Sequence, residues 1–347
     1  DIWGYAANGR EYAILGSTWG THFVDVTDPT APVEVGAYAG AYQFGNNSIS
    51  WRDYKTYSHF VYAVADANNG NSLQIFDVSG LPNSVSKVYD SQNLSASAHT
   101  VALEGDRLYL VNNKRNGSLK AIDIFSLANP ENPVFVASVH TPFFNQMHAI
   151  HVRNNIAYCS YGYGGLYIMD LTNPTAPTVI SSITNYPGSG YNHTAWTSGD
   201  DKTMIMTDEV PAGLPVKVYN IQDKANPVYV TSFASNQYAT PHNTFMIDNY
   251  AILSYYKDGV QVYDLADPAN PVRIGYYDTY PNNTSSQASY NQPSAYDGAW
   301  GVYPFLPSGN ILVSDITYGL FVISPPYTVT SAPAGNIPAQ VKVFPNP

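Results

Sequence analysis

Apolar and polar residues alternate along this chain with a period of two. The run GVQVYDLADPANPV (259–272) shows the pattern, ending in a cluster of Asp, Pro and Asn. Such alternation predicts half-buried strands, and the Gly, Pro, Asn and Asp clusters predict the turns between them. No stretch sustains a 3.6-residue period. The same run returns as GLYIMDLTNPTAPT (165–178) and THFVDVTDPTAPV (21–33), with looser copies at 119–134, 216–228, 73–84 and 319–324, which makes seven. Before each lies a second β-like run: EYAILG, FVYAVA, RLYLVN, IAYCSY, TMIMTD, YAILSY and NILVSD. A further run precedes that one, and a fourth follows most copies, as in PVEVGAY and PVRIGYY.

The unit is therefore four short strands. Aligned on its first strand, it recurs at positions 48, 99, 148, 193, 242 and 297, with spacings of 45 to 55. Four strands at that period predict an all-β fold, a seven-bladed β-propeller of four-stranded blades over residues 1–330. A lone sheet cannot bury both faces, whereas a ring of sheets packs each face on a neighbour. Blade seven lacks an obvious fourth strand, for which PYTVTS (326–331) is the candidate. Blade one begins abruptly at Asp1, so its register residue would precede the chain.

Composition narrows the partners. Charged residues are 12% of the chain, about half the usual share. The net charge is −11 and there are 30 tyrosines but only 15 Lys and Arg together. That balance repels nucleic acid and anionic membranes. No apolar run reaches the roughly 18–20 residues that span a bilayer, and no signal peptide precedes Asp1. Cys159, the single cysteine, reads as a small buried apolar side chain.

The register carries the candidate chemistry. Position zero reads Ser48, His99, His148, His193, His242 and Asp297; half of the eight histidines stand there. Position zero is where the chain enters the innermost strand, at the mouth of the central channel. Four histidines and an aspartate should converge there as one polar ring. Three roles fit it. The ring is a hydrogen-bonded plug, or an acid–base site, or a metal site. In the last case His99, His148, His193, His242 and Asp297 hold a divalent ion, Zn or another transition metal rather than Ca. Three residues further on come Trp3, Trp51, Ala102, His151, Trp196, Phe245 and Trp300, read as wedges between blades. The recurrent Asp25, Asp77, Asp123, Asp170 and Asp264 read as turn caps bonding backbone N–H groups.

Two loops face the same mouth. Asp208 and Glu209 lie between strands two and three of blade five, where paired acids bind a cation or act as acid and base; Asp66 and Asp315 occupy similar loops. The segment 279–296 is too long for a plain connection and reads as a binding loop. Its Tyr280, Tyr290 and Tyr296 would contact a neutral, hydroxyl-rich ligand.

Laid out in this way, the stretches DIWGY, SWRDYKTYSHFVYAVAD, HTVALEGDRLYL, HAIHVRNNIAYCS, NHTAW with TDE, PHNTFMIDNYAILSYY and DGAWGVYPFLPSGNILVSDITYGLFVI resemble the choice-of-anchor B proteins with their LVIVD-type repeats. The resemblance covers about residues 1–324. It implies a secreted or surface-displayed propeller whose C-terminal anchoring device varies, and it brings no settled activity. The missing opening strand departs from the family pattern. After a linker (331–340), the closing VKVFPNP (341–347) resembles the start of a type IX secretion sorting domain of Bacteroidetes. That implies the type IX machinery as a partner and the outside of a Gram-negative cell as the location. The sequence-based expectation is a binding module for a cell-surface protein or glycan, with no nucleic acid partner and no membrane span. The alternatives are a metal-dependent hydrolase or lyase acting on extracellular polymers, or a structural spacer.

Overall fold

The alternating runs form strands because β-branched and aromatic residues pack well on a pleated, half-buried surface. In the computed structural model, which describes residues 1–41, 51–66, 70–139, 147–281 and 296–327, they make seven antiparallel sheets. The blades occupy residues 2–39, 52–91, 100–139, 149–183, 192–233, 244–277 and 299–323. Six blades have four strands in chain order; among the described residues blade seven has three. Most of PYTVTS lies outside the described residues. The opening strand is present: Ile2–Ala7 pairs with Arg10–Gly16, which corrects the expectation that blade one lacks it.

Seven buried apolar clusters hold the ring together, one at each junction of adjacent blades. The closing junction sets Ile2, Leu15 and Val24 of blade one against Leu306, Leu312 and Leu320 of blade seven. Burying one such side chain contributes roughly 1.5–3 kcal/mol. A polar staple joins the same two blades. Ser308 donates its backbone N–H and hydroxyl to Glu11, at 2.6 and 2.7 Å.

The recurrent acids act as turn caps in four blades. Asp25, Asp77, Asp170 and Asp264 each accept the backbone N–H two residues on, at 2.8 to 3.0 Å. Blade three differs. Its cap is Ser126, which accepts from Ala128 N at 3.2 Å. Asp123 sits three residues earlier, opposite Leu110, fully buried and bonded to Arg115 Nε at 2.8 Å and Asn113 at 2.9 Å. Ser126 pairs with Arg107 as Asp264 pairs with Tyr250, so a serine fills the cap position and Asp123 stands three residues inside its strand.

Cys159 is buried, as expected, and burial raises its pKa far above the usual thiol value. Among the described residues no helix is long and apolar enough to cross a membrane.

Candidate metal centre

The innermost strands of blades three to six deliver the four histidines to one arc of the channel mouth. Ring centroids lie 4.4 Å apart for His99 and His148, 3.8 Å for His148 and His193, and 4.2 Å for His193 and His242. Glu209 joins them from the loop of blade five. Its carboxylate is 3.8 Å from His193 Nε2 and 4.0 Å from His242 Nε2. The ligand atoms of His148, His193 and Glu209 all lie within 4.8 Å of one another. Ligands of one tetrahedral ion with bonds near 2.1 Å lie about 3.4 Å apart, so the widest pair would have to close by about an ångström to share an ion. This cluster is consistent with a single divalent metal ion.

The outward nitrogens decide which atoms face inward. His148 Nδ1 lies 3.0 Å from the carbonyl of His193, and His242 Nδ1 2.5 Å from the carbonyl of Trp300. A carbonyl only accepts, so both Nδ1 atoms carry the proton. His99 Nδ1 lies 2.7 Å from Asp66 Oδ2 and donates in the same way. His193 leans on the backbone of His242 in the same sense, but its Nδ1 closes no bond of good geometry. The Nε2 lone pairs are thereby turned into the ring, and imidazole ligands of metals are oriented by such outer partners. A consequence follows at His99 and His148, whose Nε2 atoms are 2.8 Å apart. Two lone pairs at that distance repel unless a cation, a proton or a metal ion, lies between or beside them.

Burial, reinforced by the neighbouring imidazoles, holds His148 and His193 well below the ordinary histidine pKa. Burial lowers His242 to about 3. Neutral imidazole is the form that binds metal. Burial raises the Glu209 pKa, and a hydrogen bond from Tyr256 counteracts this; Tyr256 donates its hydroxyl to Oε1 at 2.5 Å. Tyr256 has φ +42°, where blade four has Gly162 at φ +55°. Both residues form the equivalent bridge to the next blade, Gly162 to Asn192 and Tyr256 to Ala299. A side chain is strained in that left-handed region, and here it is the one that holds Glu209.

Strand pairing corrects two register assignments. Ser48 lies outside the described residues. The hairpin closing at Tyr57 and Phe60 matches the one closing at Glu104 and Arg107, which puts Arg52 where His99 stands. In blade seven the bulge between Ala299 and Gly301 matches the one between Asn192 and Thr194. Trp300 therefore takes the place of His193, and Asp297 falls three residues short. Asp297 is not among the residues lining the cleft; it accepts from the Tyr280 hydroxyl at 3.4 Å. The wedge expectation needs revision as well. Trp196 packs against two junction clusters, but with Trp3 and Phe245 it also walls the channel below the ring. Trp51 is 43% exposed and joins neither junction cluster of blade two among the described residues.

The paired acids separate. Asp208 is fully buried, ion-paired with Lys217 and bonded to the Tyr186 hydroxyl at 2.8 Å. Only Glu209 reaches the ring. Tyr296 meets Tyr256 edge-on at 5.2 Å, Tyr280 lies beside Tyr318 at 5.8 Å, and Tyr290 falls outside the described residues.

The cleft over the ring has a cavity volume of about 60 Å³ and is lined also by Asp1, Trp51, Arg52, Asp53, Asn243 and Trp300. It adjoins a second space of about 80 Å³ walled by Trp3, Lys55, Trp196 and Phe245. Lys55 Nζ sits 3.9 Å over the Trp3 ring and bonds Asp53 at 3.0 Å; burial lowers its pKa and Asp53 opposes that. Sequence reasoning missed Arg52, Asp53, Tyr256 and Trp300. Only YYKDG against YGYGG hinted at one of them, Tyr256.

Comparison with known proteins agrees with the fold. The LVIVD repeat matches residues 20–40, 95–141 and 147–185, so the chain carries LVIVD repeats in blades one, three and four. No curated protein matches the chain. Three solved structures share the architecture. A protein of Lactobacillus plantarum has a TM-score of 0.67 at 12% identity, over 97% of each chain. A Bacteroides uniformis protein provisionally named a 6-phosphogluconolactonase scores 0.65 at 13% identity, over 98% of each chain. The periplasmic gluconolactonase of Pseudomonas aeruginosa scores 0.63 at 10% identity, over 97% of this chain and 99% of its own.

Proposed function

We propose that the protein is a metal-dependent hydrolase or lyase acting on an extracellular polymer. The observation that carries this reading is the pair of Nε2 atoms of His99 and His148, 2.8 Å apart with both Nδ1 atoms committed as donors. His148, His193 and Glu209 would hold the ion, with His99 and His242 beside them. An ion of the zinc class supplies Lewis acidity and lowers the pKa of bound water to about 7. The protein's own groups do the rest. Asp66 and the carbonyls of His193 and Trp300 fix the imidazole tautomers. Tyr256 holds one oxygen of Glu209 and leaves the other for the ring. The donors come from four consecutive blades, so the opposite arc is left to the cleft. A catalytic site keeps an open position of this kind, whereas a structural site is closed.

This reading replaces the binding module as the leading one. Two solved relatives of the fold carry lactonase names, which is in keeping with hydrolysis on a propeller but supports it only by analogy. We further propose a propeller over 1–330, a linker over 331–340 and the start of a sorting domain at 341–347. Kinship with the choice-of-anchor B proteins and type IX export would place the site on the cell exterior, where polymers and surface glycans are met.

Elemental analysis of tag-free protein, followed by turnover assays on extracellular polysaccharides with and without chelator, tests the proposal. The expected result is one transition metal per chain, lost in His193→Ala, and turnover that chelator abolishes. Metal-free protein whose melting ignores chelator would make the ring a protonated plug. Bound metal without turnover on any polymer would return the protein to the binding modules.

A further inference from the structure

The cleft contains a second feature that the proposed metal site does not use. Arg52 lines it and is only 6% exposed. Its Nε donates to the carbonyl of Ser17 at 2.9 Å, but its Nη2 has no hydrogen-bond partner among the described residues. The guanidinium lies flat on Gly40. A Cβ there would come within 2.3 Å of Nη2 and 2.5 Å of Nη1, so the glycine is what admits the group. A buried cationic donor left unpaired is costly, and a guanidinium fork matches a carboxylate with two parallel bonds.

The acids beside it are already engaged. Asp53 accepts from Tyr54 N and Lys55 Nζ through one oxygen and from Val101 N through the other. Glu209 is held by Tyr256. Asp1 accepts from Ile2 N at 2.7 Å and faces Asn243 Nδ2 at 3.5 Å. Those bonds leave the carboxylate charges in place, so what the cleft offers an anion is the one unpaired donor edge of Arg52, with Asp53 answered by Lys55.

Aromatic faces flank the same corner. Trp51 lines the cleft at 43% exposure, and Trp300 lines its far side. Trp19 is 44% exposed and its carbonyl accepts from Gly40 N, which ties it to the glycine beneath Arg52. Indole faces that stay exposed beside a polar cleft suit the apolar face of a sugar ring.

We infer that Arg52 and Trp51 form an acidic-sugar subsite, so that the polymer taken by this cleft is a carboxylate-bearing polysaccharide. This rests on the proposed polymer-cleaving reading for its setting. It corrects the neutral ligand expected from the 279–296 loop. Recognition is local, since a net charge of −11 acts on a distant polyanion only weakly beyond a Debye length of about 8 Å at physiological salt.

The test is equilibrium binding of polygalacturonate and of neutral laminarin to the whole chain, with metal content and melting temperature measured on the same samples. Wild type should bind polygalacturonate more tightly. Arg52→Gln should weaken that binding by roughly tenfold or more, leave laminarin binding and metal content unchanged, and keep its melt. Gly40→Ala displaces the same guanidinium without removing it and should give the same loss. Trp51→Ala, at an exposed position, should weaken polygalacturonate binding while folding normally. Equal affinity for laminarin, unchanged binding in Arg52→Gln and Gly40→Ala, or preference for a poly-glutamate peptide over polygalacturonate would each overturn the inference. The two readings fail separately. Uronate binding through Arg52 in a protein without metal would sink only the cleavage proposal. Metal-dependent turnover of laminarin alone would sink only the subsite.

Discussion

Identical residue types do different work here according to what surrounds them. Asp77 and Asp123 look equivalent in the repeat. Asp77 bonds one backbone N–H in a turn, so Asp77→Ala should cost about 0.5–1.5 kcal/mol. Asp123 is fully buried beside Arg115. Asp123→Ala strands that guanidinium and should cost about 3–5 kcal/mol. Urea unfolding of the two variants decides it; equal losses would show that Asp123 is also a cap. Tyr256→Phe should preserve folding but lower metal affinity by roughly 10–100-fold, the usual effect of losing an outer partner. Metal titration monitored by competition with a chelating dye checks this. His151 offers a pH prediction away from the ring. It is buried, stacked on Trp196 at 3.9 Å and within 3.1 Å of the Thr197 hydroxyl, and burial lowers its pKa to about 3. The folded state therefore favours the neutral ring. Its contribution is complete above the unfolded value near 6.5 and is lost as the pH falls toward 3. Each pH unit in that window removes about 1.4 kcal/mol. His151→Phe should flatten the acid limb of stability between pH 6 and 4 by that slope.

At the level of elements, the hairpins set the register. The histidine positions of blades three, four, five and six were legible because those blades keep the same order of turn, strand and apolar run. Blades two and seven were not. In SISW and DGAW the tryptophan resembles that of HTAW, and alignment on it put Ser48 and Asp297 in the ring. The closing hairpin at Tyr57–Phe60 and the bulge at Ala299–Gly301 count from the opposite end of the strand and put Arg52 and Trp300 there instead. A single inserted residue moves every side chain to the other face, and sequence spacing does not reveal in which strand the insertion sits. The separation of Asp208 from Glu209 has a similar cause. Asp208 ends a strand and points into blade five toward Lys217, whereas Glu209 begins the loop and points to the channel. Lys217→Met should leave Asp208 buried without its partner and destabilise the fold by about 3–5 kcal/mol while the protein that remains folded keeps its metal. Loss of metal at unchanged stability would assign Asp208 to the ring after all.

The described blades form a closed ring, so its stability depends on the junction where blades one and seven meet. Leu312 is fully buried there, and Leu312→Ala should cost about 2–5 kcal/mol. Glu11→Gln keeps the shape of the staple to Ser308 but removes its charge, and should cost about 1 kcal/mol. Thermal melts of both variants test whether ring closure limits stability; neutrality of both would mean that unfolding begins elsewhere. A metal held by the histidine cluster would add to the same quantity. At a free ion concentration 100 times Kd it stabilises by about 2.7 kcal/mol, so chelator should lower Tm in wild type and leave Tm unchanged in His193→Ala.

By itself the sequence determined the architecture. Period-two alternation, seven recurrences and turn residues at their ends suffice for a propeller, because strand formation and blade packing depend on local pattern repeated many times. It also determined that His99, His148, His193 and His242 would meet, since residues at one place in successive blades meet at the axis. Only the tertiary structure decided what they meet. Whether Nε2 or Nδ1 faces inward depends on carbonyls of the next blade, about 50 residues away along the chain. Whether a carboxylate belongs to the site depends on which way a strand end points. And Arg52 enters the cleft because Gly40, from the preceding blade, leaves room for its guanidinium. These are contacts between segments with no pattern in common, which spacing along a chain does not encode.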